Sequence, residues 1–433
     1  MSRSTTRRAF LKQTAGVGAG LLLGLDARHF RRARGASGKL RLGIIGVAGR
    51  GGGNLNAVAS QDIVALCDVD ARHLASAASR FKDAKTYADW REMIHHPDLD
   101  GVVVSTPDHH HAPATVRALK LGLHVYCEKP LTHTVAEARL VRELARKAGV
   151  ATQMGTQLHR HPAYARAVEL LRAGAIGPVS EVYVLTDRPG GWWKQGLRTP
   201  TETPAPPKHL NWDLWLGPAA ERPYHSAYAP FRWRGWWDFG CGAIGDMAIH
   251  LMDPAVWALR LGGKVRVETE GAPLLPASGP RWMHAVFSFG ARGDRPPCKV
   301  HWFEGEAQPP EAIRRELPMN GSLFIGEKGR LAVKHGGEAK LLPEERFKDF
   351  KDPEPWIPRR PGHHEEWIRA CSGGKPASSD FSYAAPFAEL VLLGNVSFRS
   401  GKSVTYDPER GRLLDAPEAQ PFLSKSYRKG WAP

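Results

Sequence analysis

The first third of the chain alternates short apolar runs with amphipathic stretches. Apolar, β-favouring runs occupy residues 41–46, 63–67, 100–105, 123–128 and 150–154. Runs of this kind, lacking strict polar alternation, are expected of strands buried on both faces of a parallel sheet. Between them, residues 112–121 and 135–147 read as helices, stopped by Gly122 and Gly149, because glycine takes the left-handed conformation that closes a helix. Five strands alternating with helices predict a doubly wound, mostly parallel α/β sheet. Beyond Thr156 the texture changes. Residues 181–186, 282–289, 299–303, 321–325 and 331–334 read as strands, and 164–173, about 244–260 and 364–371 as helices. The proline-rich segment 199–208 reads as a loop. There is no internal repeat, and no run of 18 apolar residues of the kind that spans a bilayer.

The ends of these predicted strands carry the chemistry. Leu123-His124-Val125-Tyr126-Cys127-Glu128-Lys129-Pro130 finishes in a carboxylate, an amine and a proline. Ligands of open α/β sheets sit outside the carboxyl edge of the strands, and proline both ends the ladder and fixes the direction in which Lys129 leaves it. The first run turns through Gly46-Val47-Ala48-Gly49-Arg50-Gly51. A glycine-rich turn there brings backbone N–H groups and a helix N-terminus up to a pyrophosphate, with Ala48 replacing the middle glycine of the usual fingerprint. The second run ends in Asp68, 22 residues after Gly46, where an acid accepts hydrogen bonds from an adenosine ribose. That favours NAD, since a 2′-phosphate beside a carboxylate is repelled; the nearby Arg72 keeps NADP open. The third run closes in Thr106-Pro107-Asp108-His109-His110-His111. Consecutive histidines point in different directions and no matching carboxylate or cysteine spacing accompanies them, so a turn over the cofactor is expected and no metal.

Further along, Gly240-Cys241-Gly242-Ala243-Ile244-Gly245 leads into Asp246, with His250 four residues later and Pro254 beyond it. On a helix, Asp246 and His250 share a face, and Pro254 kinks the helix. Together these motifs resemble the glucose-fructose oxidoreductase, inositol dehydrogenase and MocA (Gfo/Idh/MocA) family. The likeness rests on the turn at Gly46, on Asp68, on Ser105-Thr106-Pro107 with His111, and on Glu128-Lys129-Pro130. It extends to Met154-Gly155-Thr156-Gln157, the Asp246 region and the closing Tyr427-Arg428-Lys429-Gly430-Trp431.

The resemblance implies a Rossmann domain over residues 39–155. It also implies a carboxyl-terminal α/β domain over 156–433, with an open, mostly antiparallel sheet that makes a homodimer or homotetramer. It implies a cofactor site of Gly46, Ala48, Gly49, Arg50, Gly51, Asp68, Thr106, Pro107, His111, Glu128, Lys129 and Gln157. At the nicotinamide it implies Lys129 stabilising a developing alkoxide and His250 as general base, with Asp246 holding the substrate or orienting His250. The leading expectation is an oxidoreductase acting on a secondary hydroxyl of a sugar, polyol or sugar acid. A redox-assisted glycosidase is the alternative, although Ala243 stands where such relatives often carry a histidine. A non-catalytic carbohydrate binder fits less well, since Lys129, Asp246 and His250 are all present.

Composition narrows the partners. The formal charge is +16, but half of it comes from residues 1–40, whose nine basic side chains face one acid, Asp26. The rest is spread without a basic, aromatic-interleaved block, so no nucleic-acid partner is expected. Thr6-Arg7-Arg8-Ala9-Phe10-Leu11-Lys12 and the apolar residues after it have the pattern of a twin-arginine leader over residues 1–38. The expected partner is the twin-arginine translocase and the expected location periplasmic or exported, with the nucleotide acquired before export. Five cysteines with no C-x-x-C pair give neither a disulfide framework nor a zinc site. Trp192, Trp193, Trp212, Trp215, Trp233, Trp236 and Trp237 make a candidate sugar-stacking wall, most of them expected in the core.

Overall fold

The computed structural model describes residues 38–359 and 361–433; the twin-arginine segment lies outside the described residues. Residues Leu40–Pro433 form one compact unit built on two sheets. The first is the predicted parallel sheet, with β1 (Arg41–Ile45), β2 (Asp62–Cys67), β3 (Lys85–Tyr87), β4 (Gly101–Val104), β5 (His124–Glu128) and β6 (Thr152–Gly155) in the order β3-β2-β1-β4-β5-β6. The edge strand β3 is only three residues long and partly exposed, so it carries no apolar run to reveal it.

Register places the chemistry at one edge. Ile45 pairs with both Cys67 and Val104, Val104 with Cys127, and Cys127 with Met154. Each strand therefore ends level with its neighbours, and Gly46, Asp68, Ser105, Glu128 and Gly155 come out along a single rim. The chain order reverses between β1 and β4, which opens the crevice where such sheets bind dinucleotides. The helix after β5 is fixed at both ends. Thr134 and Glu137 form a reciprocal capping box, and Gly149 closes the helix at φ 63°.

One expectation fails in this half. His109, His110 and His111 are not in a turn over the cofactor; the helix begins at Asp108 and runs to Lys120, with Pro107 as its N-cap. The missed start has a simple cause: three histidines and Pro113 mask the helical pattern, while their rings are fully used in packing. His109 bonds the carbonyls of Phe239 and Trp215, and His110 takes the Trp90 indole N–H and reaches the Trp215 carbonyl.

The second sheet has nine strands in the order β13-β12-β11-β7-β10-β9-β8-β14-β15. They are β7 (Val179–Thr186), β8 (Val265–Gly271), β9 (Trp282–Phe289), β10 (Cys298–Gly305), β11 (Gly321–Gly326), β12 (Gly329–Lys334), β13 (Ala339–Leu342), β14 (Val404–Asp407) and β15 (Arg412–Leu413). All pairs are antiparallel except β7 with β10. Strands β8, β13, β14 and β15 escape the sequence reading because their apolar positions alternate with charged ones or are too few.

The two sheets are not packed as independent domains. The division at 155/156 marks where the first sheet ends, but the chain comes back. Trp367, Ile368 and Cys371, on the helix His363–Cys371, join Leu42, Ile44, Leu66, Val103 and Tyr126 in one core beneath the parallel sheet. Burying each such side chain stabilises by about 1.5–3 kcal/mol, so the first sheet depends on residues far downstream in the chain. A helix absent from the sequence reading, Phe381–Ser400, is long and apolar enough to cross a membrane by composition, yet most of it is buried inside this fold.

Candidate active site

The glycine turn is built for a ligand rather than for a side chain. Gly46 sits at φ 83°, and a Cβ there would stand 2.7 Å from the Ser105 carbonyl; a Cβ on Gly51 would stand 2.1 Å from the Gly46 carbonyl. These two glycines let β1, β4 and the helix Arg50–Ala57 close together. Gly49, at φ 55°, is the N-cap of that helix and has open space where a Cβ would be. An exposed helix N-terminus with free N–H groups is what a pyrophosphate requires. The Thr106 hydroxyl, across the crevice, is a buried polar group with no protein partner. The residues present therefore fit a dinucleotide.

Asp68 anchors this turn. Its carboxylate accepts from the N–H of Val47 (3.0 Å) and of Asp70 (2.9 Å), leaving further lone pairs for a ribose. Burial raises its pKa against the pull of those two N–H groups. Arg72, the residue that kept NADP open, is turned onto Asp70 (3.0 Å).

Several other expected cofactor residues are occupied with the protein itself. Glu128 is buried and takes hydrogen bonds from Arg50 (3.1 Å), Asn54 (2.9 Å) and Gln157 (2.8 Å). It is a clamp under the crevice, and Arg50 and Gln157 are its arms. His111 spans the carbonyls of Pro130 (2.7 Å) and Thr106 (2.9 Å). Two acceptors call for both ring N–H groups. Burial would lower its pKa, but Cys127, Asp108 and the Pro130 carbonyl push it up to about 10. His111 thus pins the segment after β4 to the Lys129–Pro130 corner.

That corner meets the second half of the chain at the Asp246 segment. Ile244–Ala248 is a π-helical turn, followed by α-helical Ile249–Leu251 and then, after Met252, by a separate helix Asp253–Leu259 with Pro254 in its first turn. A Cβ on Gly245 would lie 2.2 Å from the Cys241 Cβ, so only glycine lets the chain turn this tightly from Cys241 into the π-helical segment, whose Gly245 faces the Pro130 ring at an ordinary contact distance. Asp108 braces the same loop by accepting from the Cys241 N–H (3.0 Å).

Lys129, Asp246 and His250 do converge. The Lys129 ammonium donates to Asp246 Oδ1 (2.5 Å) and to the Asp246 carbonyl (3.3 Å). Burial alone would raise the Asp246 pKa, but the Lys129 ammonium and the Arg234 guanidinium hold it well below the ordinary carboxylate range. Among the described residues Asp246 makes no hydrogen bond to His250; its oxygens go to Lys129, Arg234 (3.3 Å) and Arg188 (3.5 Å). His250 is oriented instead by the Thr156 hydroxyl, 3.3 Å from Nδ1. That hydroxyl also donates to the Ile249 carbonyl, which assigns the proton of the imidazole to Nδ1 and leaves Nε2 with its lone pair free. Burial first, then Lys129 and His335, push the His250 pKa well below its ordinary value, so the ring is neutral. A neutral imidazole with a free nitrogen is a competent proton acceptor.

Arg188, Arg234, His335, Thr156 and Asn54 are site residues that sequence reasoning did not single out. Only Thr156 lay inside a quoted motif. His335 follows β12 and stacks its ring edge near His250 at 5.5 Å, with a buried Nε2 lacking a partner. Of the seven tryptophans, Trp193, Trp215, Trp233, Trp236 and Trp237 are buried and Trp212 is partly so, while Trp192 is 61% exposed at the mouth of the site. Among the described residues no group of three His, Cys, Asp or Glu side chains is placed to hold a metal ion.

A dinucleotide cradle and an acid–base cluster on one rim define a two-sheet, dinucleotide-binding redox fold. The comparisons agree. Residues 40–156 match the model of an oxidoreductase family with an NAD-binding Rossmann fold, and residues 169–274 match that family's C-terminal alpha/beta domain, together about half of the chain. The chain belongs to the Gfo/Idh/MocA oxidoreductase family and carries its NAD-binding domain. It is 29% identical to a levoglucosan dehydrogenase of Pseudarthrobacter phenanthrenivorans over 42% of this chain and 38% of that protein. It is 31% identical to an inositol 2-dehydrogenase of Salmonella typhimurium over 32% of this chain and 43% of that one. The match thus spans about two fifths of the length of these curated relatives. Among solved structures, the WlbA dehydrogenase of Bordetella pertussis, in complex with NADH and UDP-GlcNAcA, superposes with a TM-score of 0.60 at 19% identity, covering 85% of this chain and 99% of that one. An oxidoreductase domain protein of Kribbella flavida gives 0.58 at 22% identity, with the same coverage.

Proposed function

We propose that this protein oxidises, or in reverse reduces, a secondary hydroxyl of a sugar, polyol or sugar derivative. The observation that carries the reading is the Lys129–Asp246 pair beside the dinucleotide cradle, with a neutral His250 within its electrostatic reach. Bound NAD supplies the two-electron hydride acceptor; the protein handles the proton. Lys129 spends two of its three N–H groups on Asp246, and the third is available to the substrate oxygen, where it stabilises negative charge as the O–H bond weakens. His250 Nε2 takes that proton, and Thr156 holds the ring through Nδ1. Asp246 holds Lys129 in place through both of its bonds. The curated relatives named for levoglucosan and inositol support a ring-alcohol substrate.

The twin-arginine pattern supports export through that translocase with the dinucleotide already bound and retained. The open nine-stranded sheet supports a homo-oligomer. The test of the function is a substrate screen on purified protein with added NAD, following nicotinamide reduction by absorbance and products by mass. Ketone formation supports the reading; release of a free aglycone without net reduction would replace it with redox-assisted glycoside cleavage.

A further inference from the structure

The charges at the mouth of the site do not balance. Asp246 is one carboxylate facing three cations, Lys129 at 2.5 Å, Arg234 at 3.3 Å and Arg188 at 3.5 Å. His250 and His335 add no counter-charge, and burial and these cations keep both neutral. Asp108, the next acid, accepts from the Cys241 N–H and lies within electrostatic reach of Arg234 and Lys129, but among the described residues it makes no hydrogen bond to either arginine. The dinucleotide does not supply the missing charge either. Its pyrophosphate belongs at the Gly46–Gly51 turn, and its oxidised ring is itself cationic.

The two arginines are also short of acceptors. Two partly buried arginines elsewhere in this protein show the alternative, a fork onto a carboxylate. Arg41 holds Asp100 at 2.8 and 3.1 Å, and Arg91 holds Asp89 at 2.6 and 2.9 Å. Such forks are the strong form of the interaction. Arg234 instead gives Asp246 a single long contact and sends Nη1 to the Phe231 carbonyl (3.1 Å). Arg188 reaches Asp246 only at 3.5 Å, its Nη1 lies against the Met247 sulfur, and its buried Nε has no partner.

Aromatic faces hold these side chains where acids do not. The Arg188 guanidinium lies 4.1 Å from the Trp192 ring, and that of Arg234 lies 4.2 Å from Trp233 and 4.5 Å from Phe231. Trp193 is 5.9 Å from both, so the two guanidinium groups are neighbours across one indole. Trp192 and Phe231 are exposed, and their centroids are 6.3 Å apart. The result is a cationic slot with an aromatic lip, directly above the Lys129–Asp246 pair.

We propose that the substrate is an acidic sugar, its carboxylate seated between Arg188 and Arg234 and its ring against Trp192. This deepens the oxidoreductase reading and rests on it for the turnover, though not for the binding. A carboxylate gives each arginine the planar acceptor it lacks and brings the local charge towards zero. It also holds the sugar by a group remote from the reacting hydroxyl, so binding there fixes which carbon faces Lys129.

The test uses the purified holoprotein and matched pairs, a hexose against its hexuronate and a polyol against its aldonate, with the hexose 6-phosphate as a third arm. Binding is read by thermal shift and calorimetry, and turnover by the oxidised product by mass together with single-turnover reduction of the bound nicotinamide. The acid of each pair should bind about 30- to 100-fold more tightly than its neutral partner, the range expected of charged hydrogen bonds. Arg188→Gln and Arg234→Gln should each shrink that ratio at least about tenfold, through KM more than kcat, and Arg188→Lys should restore part of it. Equal binding of acid and neutral sugar, or an acid preference untouched by both substitutions, overturns the proposal while leaving the oxidoreductase reading intact. Preference for the phosphate also overturns it, by assigning the slot a different anion. Arginine-dependent binding of the acid with no oxidised product by mass and no single-turnover change in the bound nicotinamide with any substrate upholds the slot and removes the oxidoreductase reading instead.

Discussion

Replacing Asp246 with asparagine keeps the shape of the site and removes its only central negative charge. At an effective dielectric constant near 20, a unit pair at 2.5 Å is worth about 7 kcal/mol and pairs at 3.3 and 3.5 Å about 5 kcal/mol each. Burying the carboxylate offsets much of that, since desolvation costs several kcal/mol. The net expected loss is about 3–5 kcal/mol, the usual result of deleting one partner of a buried pair. With an unfolding entropy of about 2.1 cal/mol/K per residue over the compact unit Leu40–Pro433, this lowers Tm by about 4–6 °C. The depressed folded-state pKa gives the sign with pH. The stabilisation is fully present above the ordinary carboxylate value of 3.8 and is lost as pH falls towards the folded value. The gap between the proteins should therefore hold from pH 8 to about pH 4 and narrow below it. Adding Lys129→Met to Asp246→Asn removes one of the stranded cations, so the double variant should recover about 2 kcal/mol or more relative to additivity. Differential scanning calorimetry of the four proteins is the assay. Strict additivity, or a Tm for Asp246→Asn within about 1 °C of the parent, would refute the view that this carboxylate holds the cluster together.

Three further outcomes are expected. Because His250 is neutral with its pKa well below 6.5, the pH profile of alcohol oxidation should be flat through 6.5 and fall only at lower pH, and His250→Gln should cost about 10² or more in kcat without loss of fold; an inflection at 6.5 would contradict the geometry. With Asp68 on the ribose side of the crevice and Arg72 committed to Asp70, NAD should bind more tightly than NADP by calorimetry, and Asp68→Ala should narrow the difference; tighter NADP binding by the parent reverses the assignment. Finally, protein purified without added nucleotide should carry nicotinamide through desalting, measured by absorbance and mass, and should regenerate it within each cycle; empty protein that consumes external NAD at every turnover refutes retention.

What the sequence disclosed and what it hid follow from one distinction. Chemistry at strand ends was legible, because a buried parallel strand is a continuous apolar run and its end is marked by the first polar or glycine residue; Gly46, Asp68 and Lys129 were all found that way. Residues recruited across the fold were not. Arg188, just after β7, and Arg234, in the 3-10 turn Arg232–Gly235, carry no motif until the fold brings them to Asp246. His335 is a turn residue after β12 until it faces His250. The Asp246–His250 spacing was read as one helical face, but the π-turn gives Asp246 to the cations and leaves His250 to Thr156. Residues such as Glu128 and His111 carry the family's motif yet spend their polar atoms on the protein, which spacing cannot reveal.

The helix Phe381–Ser400 shows how far the site depends on that folded context. Its composition would allow it to cross a bilayer, but it is largely buried and packs against the Gly240–Gly245 loop. Asn395 donates to the Cys241 carbonyl at 2.8 Å, and Gly394 leaves so little room that a Cβ would stand 2.4 Å from Ile244 Cδ1. The loop and the π-turn are thus held from behind by this helix and from in front by the Lys129–Pro130 corner. A side chain at Gly394 would meet the end of the Ile244 side chain, so this helix and the π-turn would have to repack against each other. This buried, nearly uncharged helix is therefore a positioning element of the site, and its apolarity reflects the packing it provides between the π-turn and β8.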